Sequence, residues 1–257
     1  MSAATGSGKL AGREGQMGHD SEQPDRGSSS DDYAKRFEGA VGRYFLEVQA
    51  EVVLELLRPW RGARVLDVGG GHAQLAGPLR EAGYDVTVLG STPDCSLRPR
   101  RLCPEVPFVA GRLIDPPFRE GAFDVVLAVR LLAHLPDWRA LVRGLAQIAS
   151  RAVLVDFPSP VGVNAAAGAL FGIKRRVEGN TRAFHTLARS QVEREFELLG
   201  YGKCHSLTQF FWPMALHRLS KSAGLARAIE QVPRVLGLTT RMGSPVVLCA
   251  ARENAAK

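Results

Sequence analysis

The sequence predicts a doubly wound α/β fold on a mostly parallel sheet, and three observations lead there. Apolar runs of strand length alternate with segments whose apolar residues recur every three or four positions, the pattern of a parallel sheet covered by helices. The first such run, Val65, Leu66 and Val68, passes directly into three glycines, Gly69, Gly70 and Gly71, and then into a helical segment. At 257 residues with 45% apolar composition, the chain is long enough to bury one core of ordinary size.

Taken in order, residues 1–30 are rich in Gly, Ser and charge, lack the apolar centre of a signal peptide, and read as a disordered tail ahead of a domain at 31–257. Residues 31–57 are helical in pattern. Tyr33, Phe37, Val41, Tyr44, Phe45 and Val48 recur at helical spacing, interrupted near Gly39 and Gly42, and Pro59 and Gly62 end the run. Strand one follows at 64–68. Residues 74–82 then put Leu75, Leu79 and Ala82 on one helix face, and Gly83 suits a C-cap. Residues 85–89 are strand two. A Pro-, Arg- and Cys-rich connection at 93–107 holds at most a short helix before strand three and its loop at 107–118.

Phe123 and Asp124 open strand four, whose apolar run is 125–129. Leu141, Leu145 and Ile148 mark an amphipathic helix at 138–149, and 151–157 is strand five. Ser190 with Glu193 three residues on has the capping-box pattern of a helix start; Val192, Phe196 and Leu199 face the core, and Gly200 ends that helix. Residues 203–211 and 244–251 are strands six and seven. Between them, at about 212–242, lies a helical insertion opened by Phe210, Phe211, Trp212 and Pro213. It carries Arg218, Lys221, Arg227, Arg234 and Arg241 against one acid, Glu230.

Composition narrows the function classes. No run of eighteen apolar residues appears, so no membrane span is expected. Cys95, Cys103, Cys204 and Cys249 are scattered without a Cys-x-x-Cys, which argues against a zinc site or disulfide framework and fits a reducing cytoplasm. The net charge of +7 reads as a solvated basic surface, since no nucleic-acid motif accompanies it.

The chemistry concentrates at residues 64–72. A strand, a glycine turn and a helix start form a ligand cradle: glycine lets backbone approach closely, and unpaired N–H groups at a helix start favour a carboxylate or phosphate. A dinucleotide turn needs a third small residue at position 74, which is Gln74. Instead Asp67 precedes the glycines in an Asp-x-Gly-x-Gly pattern. Further along, Phe123-Asp124, the run to Val129 and His134-Leu-Pro-Asp137 keep one register with it.

Together these segments, over roughly 33–157, resemble the class I S-adenosylmethionine (SAM)-dependent methyltransferases. The resemblance implies a seven-stranded Rossmann-like sheet and SAM as cofactor. Asp67, Gly69, Gly70 and Gly71 would surround its amino acid part, Gly90 and Ser91 its ribose, and Arg112 and Leu113 its base, with Val129 and Arg130 at the end of strand four. Tyr33 to Phe45 would form a lid segment. The chain departs from the family at Ala73, where a third glycine is usual, at Gly90, where an acid binds the ribose hydroxyls, and at Arg112, where an Asp often bonds the adenine amino group. Arginine has no acceptor for that bond.

The implied reaction is methyl transfer to a small or medium-sized, largely apolar organic acceptor, with O-methylation favoured. His185 is the candidate general base, because the stretch before the helix at 190 often lines the acceptor pocket in related enzymes and histidine titrates near neutrality. Arg130 suits a carboxylate or phosphate on the acceptor. Nucleic acid is not expected, since no Asn-Pro-Pro-Tyr signature follows strand four. The insertion is expected to cap the acceptor pocket, with contact to anionic membrane through 210–235 or a homo-oligomer surface as alternatives. A non-catalytic methyltransferase-like partner subunit is the competing reading, motivated by Gly90 and Arg112.

Overall fold

In the computed structural model, residues 23–162 and 185–252 are described. Seven strands form one sheet: β1 (Arg64–Val68), β2 (Asp85–Gly90), β3 (Phe108–Ala110), β4 (Phe123–Ala128), β5 (Ala149–Phe157), β6 (Tyr201–Phe210) and β7 (Ser244–Arg252). Their order is β3-β2-β1-β4-β5-β7-β6. The first five run parallel, and β7 lies antiparallel between β5 and β6. This is the doubly wound, mostly parallel architecture the alternation predicts.

Helices cover both faces, which is why the central strands are apolar at successive positions. Val125 and Leu127 of β4 point into one core and Val126 and Ala128 into the other, the period of two expected of a strand. The first core is closed by α2 (Gly39–Leu57) and α3 (Ala76–Glu81), through residues such as Phe45, Val53 and Leu79. The second is closed by α5 (Trp138–Ile148) and α6 (Arg189–Leu198), through Leu141, Leu145 and Phe196. A short α4 (Leu97–Leu102) follows β2, and α1 (Asp31–Ala34) begins the helical entry to the domain.

Several boundaries differ from the sequence reading for local reasons. Residues 31–57 form three pieces, α1, a 3-10 turn at Lys35–Phe37 and α2. The turn folds back so closely that a Cβ on Gly42 would run into the Phe37 backbone. Ala73 takes a left-handed conformation, φ 59°, so the helix expected from 74 starts at Ala76 after a separate 3-10 turn at Gly70–His72. The expected Ser190 cap is replaced by Ala188, whose N–H donates to the Gln191 side chain at 3.1 Å; Ser190 falls inside the first turn of α6. The described chain also begins upstream of residue 31: Asp25 and Ser29 are buried against the sheet end, while 1–22 lie outside the described residues.

The insertion between β6 and β7 consists of α7 (Met214–Ser220), α8 (Ala223–Val235) and α9 (Leu238–Met242). Glu230 fastens it. Its carboxylate accepts the N–H groups of Phe211 at 2.9 Å and Trp212 at 3.0 Å and meets His217 Nε2 at 2.9 Å, with both side chains 1% exposed or less. No described helix is long and apolar enough to cross a membrane.

Candidate functional site

The strand order reverses between β1 and β4, and a ligand crevice belongs at the carboxyl ends of the strands beside that point. Asp67, Gly69 to Gly71, Gly90 and Ser91 and Val129 and Arg130 all lie there. Asp67 is 3% exposed, and burial pushes its carboxyl up to about 7. The glycines are required by proximity. Gly69 has φ 75° and donates its N–H to Leu89 O at 2.8 Å; a Cβ on Gly70 would strike the Asp67 carboxylate, and one on Gly71 would strike Ser29 Oγ. The helix start expected behind this loop is absent: the 3-10 turn and Ala73 separate the loop from the six-residue α3.

At the end of β2, position 90 has no room for a side chain. A Cβ there would stand 2.7 Å from Cys95 Cβ and 2.7 Å from Phe108 Cζ. The carboxylate nearby comes from elsewhere. Asp25, 1% exposed, accepts the Ser91 N–H on Oδ2 at 2.9 Å. Ser28 and Ser29 hydroxyls donate to the Asp25 carbonyl at 2.9 and 2.8 Å and fix the turn that carries it. Sequence reasoning missed Asp25 because its segment has neither apolar periodicity nor a motif.

Beyond Ser91 lies a cavity of about 290 Å³, lined by Gln23, Arg112, Leu113, Leu135 and Pro136. Leu113 is 2% exposed and forms an apolar wall, while Arg112 is exposed at the rim. Against the glycine loop the free space is only about 10 Å³, bounded by Ser28, Asp67, Gly69, Gln74 and Arg130.

A larger cavity of about 540 Å³ opens between the first helices, the ends of β4 and β5, and the insertion. Tyr33, Phe37 and Met214 give it apolar walls, and Arg36, Arg130 and Arg218 bring cations. Arg130 adopts φ 61°, its N–H donates to Asp156 Oδ1, and its guanidinium lies 4.1 Å from the centre of the Phe37 ring. Asp156, also in the wall, is 4% exposed; burial raises its carboxyl to about 6, with Arg130 opposing the rise. His72 sits edge-on to Tyr33 and Phe37 at 5.5 Å each, and burial, helped by Arg130 and Arg98, holds it down at about 4. It is therefore neutral at pH 7. His134 lines the cavity. His185 is exposed and outside that lining, though its N–H donates to Ala133 O, 2.8 Å away in the wall.

Buried polar atoms around the crevice have no protein partner: Asp25 Oδ1, Gln74 Oε1, Arg130 Nη1 and both ring nitrogens of His72. Such orphans are costly unless a ligand satisfies them. The set combines a carboxylate oxygen, an amide oxygen, a guanidinium nitrogen and a neutral imidazole with one donor and one acceptor nitrogen, which suits a ligand bearing both donors and acceptors.

Residues 41–229 match the methyltransferase domain family. A search of the curated proteins returns no significant match. Among solved structures, the chain is similar to a SAM-dependent methyltransferase of Thermotoga maritima described as a possible histamine N-methyltransferase (14% identity, 87% of this chain and 96% of that one, TM-score 0.64). It is also similar to a chain of a structure described as a complex between the Haloferax volcanii Trm112 methyltransferase activator and a methyltransferase (14% identity, 89% and 97%, TM-score 0.59). A third is the magnesium protoporphyrin IX methyltransferase of Synechocystis with bound S-adenosylhomocysteine (SAH; 15% identity, 83% and 85%, TM-score 0.55). The chain belongs to the methyltransferase domain family and is a SAM-dependent methyltransferase.

Proposed function

We propose that the acceptor is a small or medium-sized organic molecule with an apolar body and an anionic group, methylated on oxygen. The observation that carries this reading is the 540 Å³ cavity, where Tyr33, Phe37 and Met214 offer apolar surface and Arg36, Arg130 and Arg218 offer positive charge. SAM supplies an electrophilic methyl group and a neutral leaving group. The protein's contribution is alignment of the two reactants, worth up to about 7–11 kcal/mol in favourable cases. Asp67, the glycine loop and Arg130 would hold the amino acid part of SAM, and Leu113 would cover its base.

A hydroxyl acceptor needs a base. The sequence points to His185, which is exposed beside the cavity wall. Asp156 is in the wall itself with its carboxyl raised to about 6, so it is mostly ionised at pH 7 yet basic enough to take a proton. The role therefore goes to Asp156. The test is turnover with a panel of hydroxylated aromatic and aliphatic acids, following SAH release. Asp156→Asn is expected to lower kcat by about 10²–10⁴ and His185→Ala by no more than a few-fold. The reverse order returns the base to His185. Absence of both SAH binding and turnover in the parent protein would favour the non-catalytic partner subunit.

The insertion supports a second element of this reading, docking on an anionic membrane surface. Among the described residues, seven of the eleven exposed large apolar side chains lie between 216 and 238, including Leu219 and Val235, each 78% exposed. Arg218, Lys221, Arg227, Arg234 and Arg241 accompany them, and the sole acid, Glu230, is buried. Basic charge beside exposed apolar residues suits anionic lipid, and Met214 and Arg218 of the same helix line the acceptor cavity. Sedimentation with vesicles of anionic phospholipid, lost in Leu219→Ser/Val235→Ser, is the expected result. Equal recovery with neutral vesicles, or a concentration-dependent dimer abolished by the same pair, would overturn it.

A further inference from the structure

We propose that Asp25 binds the ribose hydroxyls of SAM, carried there by a strap, residues 23–30, that closes over the cofactor crevice. The inference rests on the SAM reading above. The nucleoside of SAM presents two adjacent hydroxyl donors, and an ionised carboxylate, which only accepts, is the natural partner for both. The sheet cannot supply one at position 90, because any Cβ there meets Cys95 and the Phe108 ring at 2.7 Å. Asp25 brings a carboxylate to the next residue instead, with Oδ2 on the Ser91 N–H and Oδ1 buried and unpartnered. Its Cβ lies 3.6 Å from where a Gly69 Cβ would stand, so the group spans the gap between the β1 and β2 ends.

The cavities on either side locate the strap relative to the ligand. Gln23 and Ser91 line the 290 Å³ space beside Leu113, and Ser28 lines the small space beside Asp67 and Gly69. A molecule reaching from the base wall to the glycine loop passes under Asp25. About 10 Å³ against the loop admits no amino acid, so with the cofactor bound the strap stands farther from the glycine loop than it does here. Its downstream end is pinned. Asp31 is paired with Arg98 and with Arg101, the latter at 2.6 Å, and Ser30 accepts the Tyr33 N–H at 3.2 Å. Arg26, at the outer face of the strap, is exposed and offers trypsin a cleavage site.

The experiment uses the full chain, with SAH binding followed by calorimetry and trypsin cleavage after Arg26 followed by mass. Asp25→Asn keeps an acceptor for the Ser91 N–H and removes the charge. The expected results are at least tenfold weaker SAH binding in Asp25→Asn and slower cleavage at Arg26 when SAH is added to the parent. Adenosine and 2′,3′-dideoxyadenosine give a readout that a merely structural role would not move: the parent should prefer adenosine at least tenfold, and Asp25→Asn should lose most of that preference. SAH binding by Asp25→Asn equal to or tighter than the parent, or cleavage accelerated by SAH, overturns the proposal and makes the strap a competitor for the crevice. A parent that binds no SAH fails the cofactor reading as well, so the two failures are distinguishable.

Discussion

Filling position 90 tests the geometry on which the cofactor crevice depends. Gly90→Ala adds one methyl group whose carbon would lie 2.7 Å from both Cys95 Cβ and Phe108 Cζ. Carbon atoms prefer about 3.5–4.0 Å, so each neighbour must yield by roughly 1 Å. Cys95 is 1% exposed and held in a 3-10 turn, so it yields little; Phe108 is half-buried on the short edge strand β3 and yields more. Overpacking of this kind costs about 1–3 kcal/mol. For a domain of this size that corresponds to a Tm loss of roughly 2–12 °C. Gly90→Asp adds a carboxylate beside that of Asp25 and is expected to be worse than alanine at pH 8. Urea unfolding and scanning calorimetry measure both variants. Combining Gly90→Ala with Phe108→Val should recover part of the loss, a coupling of about 0.5 kcal/mol or more. If Gly90→Ala is as stable as the parent to within about 0.5 kcal/mol, a side chain fits at 90, and the steric reason for the missing acid is wrong.

Three further outcomes follow from groups already described. Glu230→Ala leaves the Phe211 and Trp212 N–H groups and His217 without their shared acceptor. A loss of about 3–5 kcal/mol in urea unfolding is expected, with Glu230→Gln costing less. Asp67→Asn should stabilise the ligand-free protein more at pH 8 than at pH 5. The folded carboxyl titrates near 7 against 3.8 when unfolded, so between those values the unfolded chain releases the proton and stability falls as pH rises, by up to about 4 kcal/mol in all. The opposing trend from His72 is common to both proteins and cancels in the difference; an equal gain at both pH values would refute the assignment. Arg36→Met should raise KM at least tenfold for a carboxylate-bearing acceptor and leave a neutral analogue within about twofold.

The sheet was legible in the sequence because burial on both faces demands apolar residues at successive positions, and Val65, Leu66, Val125 to Leu127 and Val153 to Val155 meet that demand. The glycine loop was legible because close backbone approach tolerates no side chain at Gly70 and Gly71. Ala73 was not: its left-handed turn has no signature in a residue that ordinarily favours helix, and the start of α3 moved with it. His185 stands out in the sequence because histidine titrates near neutrality, whereas Asp156 gives no such signal: its raised pKa comes from burial that only packing creates.

Gly90 and Asp25 bring out the same distinction. The sequence displays Gly90 as a missing acid, and the loss looks like weakened cofactor binding. In three dimensions the Cys95 and Phe108 contacts exclude a side chain at 90. The Ser91 N–H beside it is bonded to a carboxylate sixty-six residues upstream. A carboxylate on the sheet and one on the strap would compete for the same space and repel each other. The glycine and the aspartate are therefore two halves of one arrangement, with the acidic function moved from a rigid strand end to a segment that can open. That transfer makes cofactor affinity depend on strap closure, which a fixed carboxylate at position 90 would not.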